Sequence, residues 1–539
     1  MLQQDPGTSD VRIDGGGTIA AMDRALPENG AAASRTPEGR APFARRFSAE
    51  QRQAPYADAV ERFGTSEPLS MMVPGHGNNP EDGGAHIAQL FGPRTAQFDV
   101  PLMIDGIDLG DDSPLVHAQR LAAEAWGAKR TWFLTNGASQ ANRTAAIAVR
   151  GLGERVLIQR SMHSSFTDGV LLSGLIPSFA APGIDAHHGI AHGLTPAALG
   201  AALTRESAAG RAVSSVYVVS PSYFGSTADV RGLADVAHAH GAALIVDGAW
   251  GAHFGFHPDL PESPARLGAD LVVSSTHKLA GSLTQSAMLH LGHGPFAERL
   301  EPLVMRAFSM TASTSMSGIL MSSLDAARRA LVTGEQRIGS AIRAAGELRE
   351  RLRRDPRFSI ISDDFGAFPD IVDTDQLRVP IDVSALGRSG HWVRGRMIQE
   401  HGVYLEMSTA TSVVAVIGAL RVPDLDRFMT AFGEVADEAV RLGAEDTGAE
   451  FPELPEPGAL RMLPRDAYFG ASEIVPAHEA VGRVSADTLA AYPPGIPNLL
   501  PGEEITADTV AFLRAVAASP TGYVRGAVDA EVAGIRVVS

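Results

Sequence analysis

The stretch ADLVVSSTHKLAG, Ala269–Gly281, decides how the rest of the chain is read. Leu271–Val273 is a short apolar run of the kind that forms a buried strand, and it leads into two serines, a threonine, a histidine and Lys278. An ammonium group at the edge of a core is costly unless it has a task. A desolvated lysine loses part of its basicity and becomes nucleophilic enough to form a Schiff base. Hydroxyl and imidazole donors beside it suit a phosphate. The plain alternative is a lysine ion-paired at a helix start.

Working outward, other apolar runs share this pattern. Thr131–Ser139 (TWFLTNGAS) reads as a strand running into a turn and a new helix, and Arg155–Arg160 (RVLIQR), Ser215–Ser220 (SVYVVS) and Ala243–Trp250 (ALIVDGAW) read as further strands. They are nearly unbroken in apolar character, as expected when helices cover both sheet faces. Between them lie helical patterns such as Pro114–Ala128 and Leu233–Gly241, the latter ending on glycine. Strand alternating with helix predicts a mostly parallel α/β sheet over residues 96–330. A helix expected at Thr333–Arg354 opens a smaller α+β region, 331–450, with a second helix at His391–Glu400. A proline-rich boundary at 451–470 opens a third unit, 451–539. Residues 46–95 form an arm, with a helix expected from Ser48 to about Gly64 and a Gly/Pro/Asn-rich loop at Met71–His86; residues 1–45 read as a mobile tail.

In open α/β sheets ligands bind beyond the C-terminal strand ends. Four features fall there. Thr135–Asn142 (TNGASQAN) turns at Gly137 into a helix whose N-terminus could take a phosphate. Asp247 follows three apolar residues, and a buried carboxylate needs partners; a protonated pyridine nitrogen would serve, as would backbone N–H groups. His163 follows the Arg155–Arg160 run and could stack on a planar ring. Lys278 is the fourth. Each is modest alone. Together, cradle, stacker, aspartate and lysine describe a pyridoxal phosphate site.

Bulk properties narrow the partners. The 539 residues carry a net charge of −17. That sign disfavours nucleic acid or an anionic membrane as partner and suits a small cationic substrate or simple solubility. With no cysteine, thiolate nucleophiles, disulfides and Cys-ligated metals are excluded. The first residues lack the order of a signal peptide and no apolar run is long enough to span a bilayer, so a cytoplasmic protein is expected.

From about Met71 onward the chain resembles the bacterial-type ornithine/lysine/arginine decarboxylases, pyridoxal phosphate enzymes of the aspartate-aminotransferase fold (fold type I). The resemblance rests on VPGHG (Val73–Gly77), SPSYFG (Ser220–Gly225), VDGAWGAHF (Val246–Phe254), SSTHKLAGSLTQSAMLH (Ser274–His290) and YPPGIPNLLPGE (Tyr492–Glu503), the last resembling a C-terminal domain peculiar to the family. It implies that Lys278 binds the cofactor, Asp247 pairs with the pyridine nitrogen and His163 stacks on the ring. Ala138, Ser139, Ser275 and His277 would surround the phosphate, and Trp250 would lie near the ring hydroxyl. His277 or Lys278 would return a proton to the substrate's Cα. Thr314 and Ser315 would reach the site of a second subunit in a homodimer or an assembly of dimers, and Glu503 would meet the substrate's distal cation. The implied activity is decarboxylation of lysine, ornithine or arginine, feeding polyamine synthesis. Departures occur at Ser164, Met316, Gly318 and Gly77-Asn78-Asn79, where family members commonly carry other residues. They leave transamination, elimination, oxidative deamination or a non-catalytic partner role open as alternatives.

Overall fold

The structure is a computed structural model that describes residues 47–444, 454–492, 496–519 and 522–539; the tail expected at 1–45 lies outside the described residues. Its centre is a seven-stranded sheet: β1 (Arg130–Leu134), β2 (Arg155–Gln159), β3 (Ile176–Ala180), β4 (Ser215–Val219), β5 (Ala243–Asp247), β6 (Leu271–Ser274) and β7 (Ala287–Leu291). The spatial order is β1-β7-β6-β5-β4-β2-β3. Strands β6, β5, β4, β2 and β3 run parallel, and β7 is antiparallel to both neighbours.

The unbroken apolar runs are explained by cover on both faces. Ile158, Tyr217, Ile245 and Val273 pack with Ala145 and Phe166 on one side. Leu157, Val218, Val246 and Val272 pack with Leu199 and Leu233 on the other. Alternate residues of each strand therefore enter different cores.

The helices near the site begin on sequence signals. In α1 (Pro114–Trp126), Ser113 caps the first turn by accepting from Val116 N, and Gly127 ends it at φ 73°. Helix α2 (Gly137–Val149) follows β1, and α3 (Ser164–Ser173) follows β2.

Several boundaries differ from the expectations. The helix expected from Ser48 is a 3-10 turn at Ala49–Arg52, and the α-helix starts at Pro55, running to Thr65. Proline bars the residue before it from helical geometry but is favoured as the first helical residue, so Ala54 breaks the run. The helix expected from Thr333 starts at Glu335, because Thr333 and Gly334 cap the end of one helix (Gly318–Val332) and the start of the next (Glu335–Arg353). Strands β3 and β7 had not been expected at all. β3 contains Pro177, which is tolerated because that strand lies at the sheet edge.

A second, antiparallel sheet holds Ser359–Ile360, Arg378–Asp382, Ser412–Val416 and Met407–Ser408 in that order. Helix α4 (Gly390–His401) enters against its turn so closely that a Cβ on Gly390 would lie 2.0 Å from Ser412 O and 2.6 Å from Thr409 O. Gly390→Ala is expected to cost about 1–3 kcal/mol by overpacking. The check is a lower urea midpoint at unchanged slope; an unchanged midpoint would show that the 408–412 turn yields. Residues 454–539 gather a separate core around Leu489, Leu499, Leu513 and Ile535.

Candidate active site

Strand ends bring the chemical groups together. Lys278 sits on a one-turn helix, Thr276–Leu279, directly after β6, and Asp247 is the last residue of β5. His163 precedes α3, its Nδ1 accepting from Ser165 N at 3.2 Å. Ala138 and Ser139 lie in the first turn of α2.

Lys278 Nζ stands 3.8 Å from the centroid of the Trp250 ring, while Arg378 Cζ lies 4.1 Å from that ring. The indole thus offers its π-density to two cations. Burial lowers the Lys278 pKa to about 8; Asp247 and Glu406 oppose the shift and Arg378 adds to it. The amine is therefore partly neutral near neutral pH, the state a nucleophile requires.

This depression has a consequence for stability. Between pH 8 and 10.5 the unfolded chain holds a proton on Lys278 that the folded chain has released, so stability rises with pH there; below pH 8 the full burial penalty is present. Lys278→Met is expected to stabilise the cofactor-free chain at pH 7 by at most about 3 kcal/mol, fading as pH approaches the unfolded value. Thermal unfolding at pH 7 and pH 10 checks it; an equal gain at both would contradict the shift.

Asp247 is almost fully buried and holds three hydrogen bonds. Asn142 Nδ2 donates to Oδ2 at 2.9 Å, Tyr217 OH donates to Oδ2 at 2.6 Å, and Ala249 N donates to Oδ1 at 3.1 Å. Burial and the Asp247 charge raise the Tyr217 pKa well above its ordinary value, keeping the phenol a donor. Asn142 also donates to Ser165 Oγ at 3.0 Å, and Tyr217 stacks on Phe166 at 3.7 Å. These two residues were missed. Asn142 stands inside TNGASQAN, and a tyrosine within the apolar run SVYVV demands a buried partner; those were the available signals.

The His163 ring is open to a cavity yet closely surrounded by protein, and this desolvation lowers its pKa; Asp247 opposes the shift and Lys278 reinforces it. Its Nδ1 lies 2.7 Å from Ser165 Oγ. A neutral imidazole suits stacking. His277 Nδ1 is 2.9 Å from the Ser286 carbonyl, so that nitrogen carries the proton.

The cavity, about 490 Å³, is walled by His163 and Tyr223 from the large sheet region, Glu406 and Thr409 from the second sheet region, and Thr488 and Arg525 from the C-terminal unit. Of its carboxylates, Asp168 accepts from Arg143 at 2.6 Å, and Glu406 is exposed to the cavity without an ion pair among the described residues.

One expectation meets a different arrangement. Glu503 does not wall the cavity. The residue is 1% exposed, and its carboxylate accepts from Arg160 Nη1 at 2.6 Å, Arg160 Nη2 at 2.8 Å and Leu500 N at 2.9 Å. All its near donors are internal, so the glutamate ties the C-terminal unit to β2 instead of facing a substrate. Thr314 and Ser315 are exposed between the helices Ala297–Thr311 and Gly318–Val332 and do not wall the cavity of their own chain. Two arginines that an aminotransferase could use to hold a substrate α-carboxylate are engaged with protein groups instead. Arg378 is buried and donates to Tyr223 O at 2.5 Å, and Arg483 donates to Glu473 at 2.8 Å.

A pyridoxal phosphate fits this donor set. Besides the amine, carboxylate and imidazole, Trp250 Nε1 and Thr276 Oγ1 are buried polar atoms beside Lys278 without a hydrogen-bond partner among the described residues. The fold and the lysine cluster define the class: fold type I, the architecture of pyridoxal-phosphate-dependent enzymes. The match to "Orn/Lys/Arg decarboxylase, major domain" spans residues 54–411, and that to its C-terminal domain spans 450–523. The chain belongs to the Orn/Lys/Arg decarboxylase family. It is 32% identical to an arginine decarboxylase of Bacillus subtilis over 86% of this chain and 93% of that protein. It is 24% identical to a lysine decarboxylase of Hafnia alvei, over 84% of this chain and 73% of the other. Among solved structures, the Francisella novicida lysine decarboxylase LdcF superposes at a TM-score of 0.76, with 20% identity, covering 90% of this chain and 81% of that one. No helix among the described residues is long and apolar enough to cross a membrane.

Proposed function

We propose that the protein decarboxylates a basic L-amino acid, arginine in preference to lysine or ornithine, using pyridoxal 5′-phosphate carried by Lys278. The observation that carries this reading is the desolvated Lys278 amine on Trp250 beside the three-donor Asp247 site. When bound, the cofactor supplies an electron sink for the bond broken at Cα. Asp247 would hold the pyridine nitrogen, its own position fixed by Asn142 and Tyr217. His163 would stack on the ring, and the first turn of α2 with Ala138 and Ser139 would join Ser275 and His277 around the phosphate. Lys278 or His277 would deliver the proton that replaces carbon dioxide on Cα.

Arginine is favoured because relatives named arginine decarboxylase are more similar to this chain, and match more of their own length, than those named lysine decarboxylase. Glu406 is assigned to the guanidinium, in place of Glu503. Glu406→Gln is expected to raise KM for arginine about 10-fold or more, since losing a charged partner is worth about 1.5–3 kcal/mol. A fall in kcat at unchanged KM would move Glu406 to the reacting end. Initial rates with the three amino acids test the preference: the highest kcat/KM should be for arginine, and a preference for lysine or ornithine would overturn it. A homodimer completing each site with Thr314 and Ser315 is supported by the exposed apolar arm residues Leu69, Met71, Leu90 and Phe91. A cytoplasmic enzyme supplying an amine for polyamine synthesis completes the reading.

A further inference from the structure

Away from Lys278, a second cluster of potential ligands spans the seam between the large sheet region and the second sheet region. A short ladder, Ile184–Asp185 with Ile190–Ala191, projects a tight loop. Buried Asp185 shapes it: its Oδ1 accepts from His187 N at 2.9 Å and His188 N at 3.1 Å. Two adjacent imidazoles are thereby presented together, their ring centroids 4.6 Å apart. From the other side comes Asp382, the last residue of the strand Arg378–Asp382, opposite Ser412. Asp382 Oδ1 accepts from Ser384 N at 2.8 Å, and the Thr411 hydroxyl lies 3.3 Å from His188 Nδ1. One ligand atom each from His187, His188 and Asp382 all lie within 4.8 Å of one another.

We propose that His187, His188 and Asp382 form a divalent transition-metal site, of the zinc or nickel class, that pins the two sheet regions together at the cavity rim. Two imidazoles and one carboxylate are the donor set of such ions, whereas magnesium and calcium prefer oxygen alone. Three protein ligands leave a fourth position for water. Small rotations of the side chains on an exposed loop close the cluster to the spacing set by metal–ligand bonds of about 2.0–2.2 Å. Asp185 and Asp364 also face His188 and add negative potential around the ion. The location gives the site a consequence: Gly189 and Ile190, directly after His188, wall the cavity together with Ser408 and Thr409 of the second sheet region. An ion here bridges the two sides of that wall.

Zinc chloride titrated into the full-length protein, read by isothermal calorimetry, tests the proposal. One equivalent per chain should bind with micromolar or tighter affinity, with no comparable heat from magnesium. His187→Ala should weaken zinc at least 10-fold while leaving the metal-free unfolding midpoint unchanged, because His187 is exposed. Asp382→Asn should weaken it similarly, showing that the second sheet region contributes a ligand. Zinc binding that survives unchanged in His187→Ala, or no binding below 1 mM, overturns the site.

Discussion

Lys278→Ala is expected to lower kcat/KM for arginine by about 1,000-fold or more, and to abolish the absorbance of cofactor bound to the lysine. The size follows from the number of duties on one amine. In the proposed reaction Lys278 would carry the cofactor, would share with His277 the delivery of the Cα proton, and would release the product. A positioned proton donor alone contributes about 10²–10⁴-fold. The amine is fitted for this by its surroundings: burial lowers its pKa to about 8, and the Trp250 face holds it 3.8 Å away. Far-ultraviolet circular dichroism should show an intact fold, because removing a desolvated ammonium leaves Asp247 with its three donors. Arginine turnover within 10-fold of wild type would remove Lys278 from the chemistry.

The second large effect concerns stability. Glu503→Ala strands the Arg160 guanidinium, whose side chain is 6% exposed, without its carboxylate. Breaking one half of a buried ion pair costs about 3–5 kcal/mol, because the remaining charge stays desolvated. Arg160 keeps its donation to Pro497 O at 2.9 Å and its stacking on Phe179 at 4.4 Å, which cannot replace the lost charge. The variant is expected to lose stability, and the contact between β2 and the C-terminal unit should loosen. The double change Arg160→Met with Glu503→Ala should recover most of the loss, since no lone charge remains. Urea unfolding of the two variants decides it. If Glu503→Ala unfolds at the wild-type midpoint, the pair is not a structural tie.

How much of this was legible in the sequence depended on distance along the chain. Of the parallel strands, β2, β4, β5 and β6 could be read because each is a continuous apolar run, and the candidate site residues because Asp247, His163 and Lys278 stand at the ends of such runs. The cap at Ser113 and the stop at Gly127 were local signals as well. What was missed is long-range. Arg160 was visible as a charge closing RVLIQR, but its partner lies 343 residues away, so Glu503 looked free to face a substrate. Asn142 and Tyr217 belong to different elements and meet only at Asp247. β7 is hidden in the sequence because its residues continue the lysine motif, and no short-range pattern announces an antiparallel strand inserted between β1 and β6.

The most direct test of the central claim is product analysis by mass spectrometry. Purified protein with pyridoxal 5′-phosphate is given arginine, and the released gas is trapped. The account predicts equal amounts of carbon dioxide and agmatine, the amine lighter than arginine by one carbon dioxide. A keto acid in place of the amine, or no product despite cofactor bound at Lys278, would contradict it.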